Sequence, residues 1–341
     1  MSQVVPAAAG SAGLGDLLAA YSESTDRTRR SLDARLSHAP AGEILREYVA
    51  RGKMLRASLV FAASAAVGGR PDDVVMGAEA IELMHAASLF HDDIIDHAAE
   101  RRGIPSLHER LGVGPALVVG DELLLRALSV LGEAQAGHPA ARVLQAMNAL
   151  TDLARECCHG QFDELRAGRG TSEVEYLAIV TRKTASPFVA AGTLGVLLGG
   201  GTDAHLDQIR IYSRQLGIAF QIADDLLDLI GEPAAMGKPV GNSLAQGRPM
   251  LPLIYLLQMG TDLEKQELST IGEGGPTRDR LVALLDHYGV VERVRQVQQR
   301  HLDTAVDALV GLPGAVGVEA LRALVARASA QPVQDPALPR R

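Results

Sequence analysis

Leu89-Phe90-His91-Asp92-Asp93-Ile94-Ile95-Asp96 decides how this chain is read, because its pattern returns downstream as Phe220-Gln221-Ile222-Ala223-Asp224-Asp225-Leu226-Leu227-Asp228. Both stretches carry Asp-Asp-x-x-Asp with apolar residues at the two open positions. On a helix, residues i and i+4 lie one above the other, and i+1 sits about 100° away. The outer aspartates of each motif, Asp92 with Asp96 and Asp224 with Asp228, can therefore hold one cation, with Asp93 and Asp225 at its edge. Carboxylates set in an apolar helix are costly unless neutralised. All-oxygen ligation suits Mg²⁺, which keeps waters and bridges carboxylates to substrate phosphates. A solvated helix face explains one such motif; two in apolar settings point to a shared partner, a metal-bound diphosphate.

Composition sets the frame around the motifs. The 341 residues are 47% hydrophobic and 22% charged, the balance of a soluble globular protein. Aromatics are 3% and Trp is absent, so the core is aliphatic, which favours closely packed helices over a β sandwich. A net charge of −8 argues against a general nucleic-acid binder. The only cysteines, Cys157 and Cys158, are adjacent and read as reduced side chains, not as a disulfide or a metal site. The N-terminus lacks the basic region of a secretory signal, and the longest uncharged run, Pro187 to Thr202, is short for a membrane span. A cytoplasmic protein with no membrane span is expected.

Apolar runs are long and rich in Ala and Leu, without strand alternation. The expectation is an all-α fold: a single large helical bundle over residues 16–330, with a loose arm over 1–15 and a disordered tail over 331–341. Helices are expected over 16–45, 55–67, 74–97, 116–131, 139–166, 172–198 and 205–230. More are expected over 250–260, 262–271, 277–287, 290–310 and 315–329. Pro71 stands near a helix start, with Asp72 and Asp73 suited to its cap and dipole. The Gly- and Pro-containing stretch 231–249 reads as a loop able to act as a lid.

A diphosphate needs cations. Lys53 and Arg56, at i and i+3, share a face at a helix start whose N–H groups attract phosphate. His85 lies two turns before Asp92 on a similar face. Arg101 and Arg102 follow the first motif in a short loop, where forked guanidinium groups suit phosphate oxygens. Lys183, in Arg182-Lys183-Thr184, interrupts an apolar helix. Gln221 shares the face of Asp224, and Lys238 sits in the 231–249 loop. Taken singly, Lys53 also reads as a solvated turn, His85 as structural, and Lys183 as a snorkelling surface residue.

Together these pieces resemble the trans-isoprenyl diphosphate synthases, the polyprenyl synthetase family. The resemblance runs from about Arg51 to Leu257, through Gly52-Lys53-Met54-Leu55-Arg56, His85 with the first motif, Arg101-Arg102-Gly103, Gly120-Asp121, Lys183-Thr184-Ala185, Gln221 with the second motif, Gly237-Lys238 and Leu251-Pro252-Leu253. It implies an all-α bundle around a deep central cavity, a homodimer, and head-to-tail prenyl transfer from an allylic diphosphate to isopentenyl diphosphate. It also implies roles. Asp92, Asp96 and Asp224 would be the main Mg²⁺ ligands, with Asp93, Asp225 and Asp228 binding directly or through water. Arg101, Lys183 and Lys238 would hold the allylic diphosphate. Lys53, Arg56, His85 and Arg102 would hold isopentenyl diphosphate. Thr184 and Gln221 would sit beside the reacting carbons.

Some positions depart from the family pattern. Arg51 stands where Gly is common, Ala57 where Pro is common, Ser243 where Asp is usual, and Arg248-Pro249-Met250 replaces Lys-x-Thr. Product length in this family is set by bulk below the first motif, and here Ala87 and Ser88 are small, with Met84 as a deeper floor. A medium- or long-chain product is therefore expected, with a geranylgeranyl or other short-chain product as the alternative. Two further alternatives are a class I terpene cyclase, disfavoured by the second diphosphate-binding set, and a regulatory subunit of a heteromeric synthase, disfavoured by two complete acidic motifs.

Overall fold

Fifteen α-helices, a 3-10 turn (Ala134–Ala136), a π turn and one small hairpin lie in the parts of the chain that the computed structural model describes, residues 14–168, 170–230, 247–270 and 277–329. The expected first helix is two, α1 (Leu14–Leu36) and α2 (Gly42–Ala50). Pro40 ends the first run, and Ala41 follows at φ 57°, in the left-handed region. Next come α3 (Leu55–Ala66) and α4 (Pro71–Ile95). Pro71 takes the first turn of α4, while Asp73 accepts from the Arg70 backbone N–H and guanidinium.

The basic loop holds a feature not expected from sequence. Glu100–Arg101 (β1) pairs antiparallel with Ile104–Pro105 (β2), so the loop is a hairpin. Its two turn residues, Arg102 at φ 56° and Gly103 at φ 74°, are both left-handed, as a type I′ turn requires. Arg102 is an unusual residue there, and a non-Gly residue held at positive φ often marks a functional position.

Then follow α5 (Leu107–Leu111), α6 (Val113–Glu133) and α7 (Ala140–Arg166). The expected helix over 172–198 is α8 (Glu173–Val180) and α9 (Ser186–Leu198), joined by a wide π turn, Thr181–Ala185. α10 (Asp203–Ile230) carries the second acidic motif. The remainder is α11 (Leu251–Met259), α12 (Asp262–Ser269), α13 (Arg278–His287), α14 (Val290–Asp307) and α15 (Ala315–Ser329). The expectations for the terminal arm and tail and for Lys238 and Ser243 fall outside the described residues.

α9 is the spine. It has no charged residue, it is buried on every side, and it packs against α3, α4, α7 and α10. A helix apolar all round belongs inside a bundle. The apolar core forms two clusters that meet along α10, which gives Leu216 and Ala219 to one and Ile222 and Leu226 to the other. No described helix is long and apolar enough to cross a membrane.

One buried ion pair ties the wall behind the first motif. Glu79 on α4 is 1% exposed and forms an ion pair with Arg35 of α1 at 2.7 Å, while the same guanidinium donates to Glu133 of α6 at 2.7 and 3.0 Å. Arg35→Ala would strand the Glu79 carboxylate. The expected loss is about 3 kcal/mol, measured by urea unfolding; a loss below about 0.5 kcal/mol would show that Glu79 does not depend on Arg35.

Candidate active site

The first acidic motif ends α4. Asp92 and Asp96 are half-buried, while Asp93 is fully buried. Asp93 turns away from its neighbours to accept from Arg101, at 2.7 Å from Nε and 2.5 Å from Nη2. Burial pushes its carboxyl above the usual range, against the pull of Arg101. The second motif repeats this division. Asp224 is half-buried and Asp225 is buried. Asp225 accepts from the Tyr176 hydroxyl at 2.7 Å, the Gln221 amide at 2.8 Å and the Leu251 backbone N–H at 3.2 Å. Burial pushes it up to about 7. Asp225, expected at the edge of a cation, has both carboxylate oxygens engaged by protein donors.

A short segment connects the motifs. Arg248, noted in the sequence only as a departure, pairs with Asp96 and lies 3.8 Å from Glu164 on α7. Three residues on, the Leu251 N–H reaches Asp225. Glu164 also binds Lys183. Sequence reading missed both Glu164 and the site role of Arg248. The available signal was Glu164 three residues after Gln161, on the same helix face as Cys157.

The π turn supplies the next wall. Its extra residue places Lys183 and Thr184 together, and Thr184 Oγ1 donates to Gln221 Oε1 at 2.9 Å. Gly160 of α7 lets the turn come close: a Cβ there would stand 2.8 Å from Lys183 Cα. Beside it the Cys157 thiol donates to the Lys183 carbonyl at 3.2 Å. Burial foremost, with Asp92 second, raises that thiol to about 12, so it is inert as a nucleophile.

The basic cleft is lined in part by Tyr48, Gly52, Glu82, His85, Arg101 and Arg102. Arg56 lies behind it, over the Phe188 ring at 5.0 Å. Lys53 is exposed and does not line the cleft. Glu82, one turn before His85, went unnoticed in the sequence. Its buried carboxylate accepts the Ala57 N–H at 2.9 Å and lies close to Arg56 and Arg102. One N–H at the start of α3 is therefore taken from within the protein, by Glu82. Below the first motif, Ala87 is fully buried, Met84 nearly so and Ser88 half-buried, its hydroxyl donating to the His85 carbonyl.

The donors fit a hard divalent cation. The Asp92 carboxylate makes no hydrogen bond or ion pair among the described residues, and the buried Asp93 Oδ2 has no partner. No three acidic, His or Cys side chains among the described residues are already gathered as a metal site.

Aspartate motifs joined to a basic cleft on an all-helical bundle define a diphosphate-handling transferase. The sequence matches the family described as Polyprenyl synthetase over residues 39–286, and the chain belongs to that family, a family of prenyltransferases. It is 33% identical to the short chain isoprenyl diphosphate synthase of Methanothermobacter thermautotrophicus, with 90% of this chain and 95% of that one aligned. It is 32% identical to the nonaprenyl diphosphate synthase of Mycobacterium tuberculosis, over 92% and 94%. The fold matches the solved polyprenyl synthase of Caulobacter crescentus complexed with calcium and isoprenyl diphosphate, with TM-score 0.85, 28% identity and coverage of 96% of this chain and 100% of that one.

His85 offers a test of the cleft. Burial, with Arg56, Arg102 and Arg101 nearby, holds it well below its ordinary 6.5. In the fold it stays neutral; in the unfolded chain it takes a proton as pH falls through about 6.5. Stability should be complete above that value and fall below it, because the unfolded state binds more protons. His85→Gln should flatten the acid slope of urea-unfolding free energy against pH. An unchanged slope would mean that His85 protonates freely in the folded protein.

Proposed function

We propose that this protein condenses isopentenyl diphosphate head to tail with an allylic prenyl diphosphate, using Mg²⁺. The observation that carries this reading is the Arg248–Leu251 segment, which ties Asp96 of one motif to Asp225 of the other beside the basic cleft. Asp92, Asp96 and Asp224 would hold the metal ions, with Asp228 behind them. Bound Mg²⁺ supplies charge stabilisation for the departing diphosphate.

The chain's own residues do the rest. Lys183, Arg101 and Arg248 bind and orient the allylic diphosphate, with Lys238 as a further ligand. Their charges offset the charge that develops as the C–O bond breaks and its electron pair leaves with diphosphate. His85, Arg102 and Arg56, with the exposed Lys53 just before α3, hold isopentenyl diphosphate so that its double bond faces the allylic carbon. Its π electrons form the new C–C bond, and a proton passes from the resulting cation to the released diphosphate. The Gln221 amide oxygen and Thr184 lie beside the reacting carbons. No protein nucleophile enters.

A homodimer belongs to the same reading. Val113, Leu117, Val118 and Leu125 on α6, and Leu144 on α7, are apolar side chains left 43–69% exposed. For product length, small Ala87 and Ser88 favour a medium- or long-chain product over a short one.

Incubated with Mg²⁺, isopentenyl diphosphate and farnesyl diphosphate, the protein should release diphosphate and extend the primer. Failure with every allylic primer defeats the assignment. Asp92→Ala and Asp224→Ala should each lower kcat by about 10³-fold or more with the circular dichroism spectrum unchanged, and near-normal turnover would remove these residues from the ligand set. Ala87→Phe and Ser88→Phe should each shorten the product on chromatography; an unchanged product from both retires the proposed floor.

A further inference from the structure

We infer that Tyr176 and Asp225 are positioning residues that fix the Gln221 amide, with its oxygen toward Thr184 and the reacting carbons. This rests on the condensation reading above. Four groups form one chain of hydrogen bonds. Thr184 Oγ1 donates to Gln221 Oε1 at 2.9 Å, Gln221 Nε2 donates to Asp225 Oδ1 at 2.8 Å, and Tyr176 Oη donates to Asp225 Oδ2 at 2.7 Å. Asp225 Oδ2 also accepts the Leu251 N–H.

The polarity of the chain follows from its inner end. Asp225 Oδ2 is taken by the Tyr176 hydroxyl and the Leu251 N–H, and Oδ1 receives the Gln221 NH₂ group, so the Gln221 amide oxygen faces outward. Tyr176 and Asp225 are buried, whereas Gln221 and Thr184 are half-buried. The negative end of the amide dipole is thereby presented on the open side, where it favours a developing cation. With both oxygens of Asp225 engaged, its position in the motif serves orientation, not cation ligation. Asp93 is the parallel case: it is the middle aspartate of the first motif, equally buried, and it holds Arg101.

The substitution Asp225→Asn reverses the relay. The amide oxygen it introduces can still accept from Tyr176 and Leu251, but the accompanying NH₂ group then faces Gln221. Gln221 has to turn its own oxygen inward and its N–H groups toward Thr184. Tyr176→Phe loosens the relay without inverting it. Adding Gln221→Glu to Asp225→Asn restores an acceptor facing Thr184.

The experiment measures steady-state kinetics together with calorimetric binding of Mg²⁺ plus inorganic diphosphate. Asp225→Asn should lower kcat about 100-fold and Tyr176→Phe about tenfold, both with KM for the two substrates and probe binding within about twofold of wild type. The double variant Gln221→Glu/Asp225→Asn should recover at least about tenfold over Asp225→Asn. Weakening of Mg²⁺–diphosphate binding by tenfold or more in Asp225→Asn, unchanged kcat in that variant, or no recovery in the double variant overturns the inference. A wild-type protein that extends no primer defeats the underlying reading instead, so the two failures are distinct.

Discussion

Buried carboxylates need cations or hydrogen-bond donors, and the organisation of this site follows from that constraint. Asp93 has Arg101, Asp96 has Arg248, Glu164 has Lys183, and Glu82 lies against Arg56 and Arg102. Each pairing joins residues on different elements, so the acids and bases can satisfy one another only in the folded chain. Removing one member leaves the other charge desolvated, which costs far more than a surface ion pair contributes. Under the proposed function, a divalent cation and a diphosphate arrive with the same two signs of charge. They can take over these partners without leaving any charge buried and alone, which explains how a site of mutually neutralised residues can still be a binding site.

Helix α9 makes this possible by contributing no charge of its own. It fills the centre of the bundle with small and aliphatic residues, and α4, α7 and α10 pack against it. The acids of α4, α7 and α10 are thereby held on rigid elements, while the basic hairpin and the Arg248–Leu251 segment come from connections. This division suits a site in which the acidic frame stays fixed and the connections adjust.

The fold class and most helices were legible because period-3.6 apolar patterns are long here and Pro and Gly punctuate them. The outer aspartates were legible because i and i+4 spacing is local information. Less visible were features decided by tertiary partners. Nothing local distinguishes the inward turn of Asp225 from that of Asp224; Tyr176 and Leu251 decide it. Glu82 looked like any acid on an amphipathic helix until α3 placed the Ala57 N–H over it. The hairpin escaped notice because its strands are two residues each and its turn uses Arg where Gly or Asn is usual. Arg248 was visible as a departure, but its partner Asp96 lies far away in sequence.

The π turn at Thr181–Ala185 carries a consequence for the chain as a linear code. A π turn holds one residue more than an α turn, so every side chain after it is rotated by about 100° relative to an uninterrupted helix. The inward face of α8, which includes Tyr176, and the all-buried surface of α9 therefore belong to different reading frames of the same rod. Loss of a single residue from this turn would bring the frames into phase and produce a smoother helix. It would also separate Thr184 from Gln221. At this place regular geometry and a working site are mutually exclusive, and the chain keeps the irregular one.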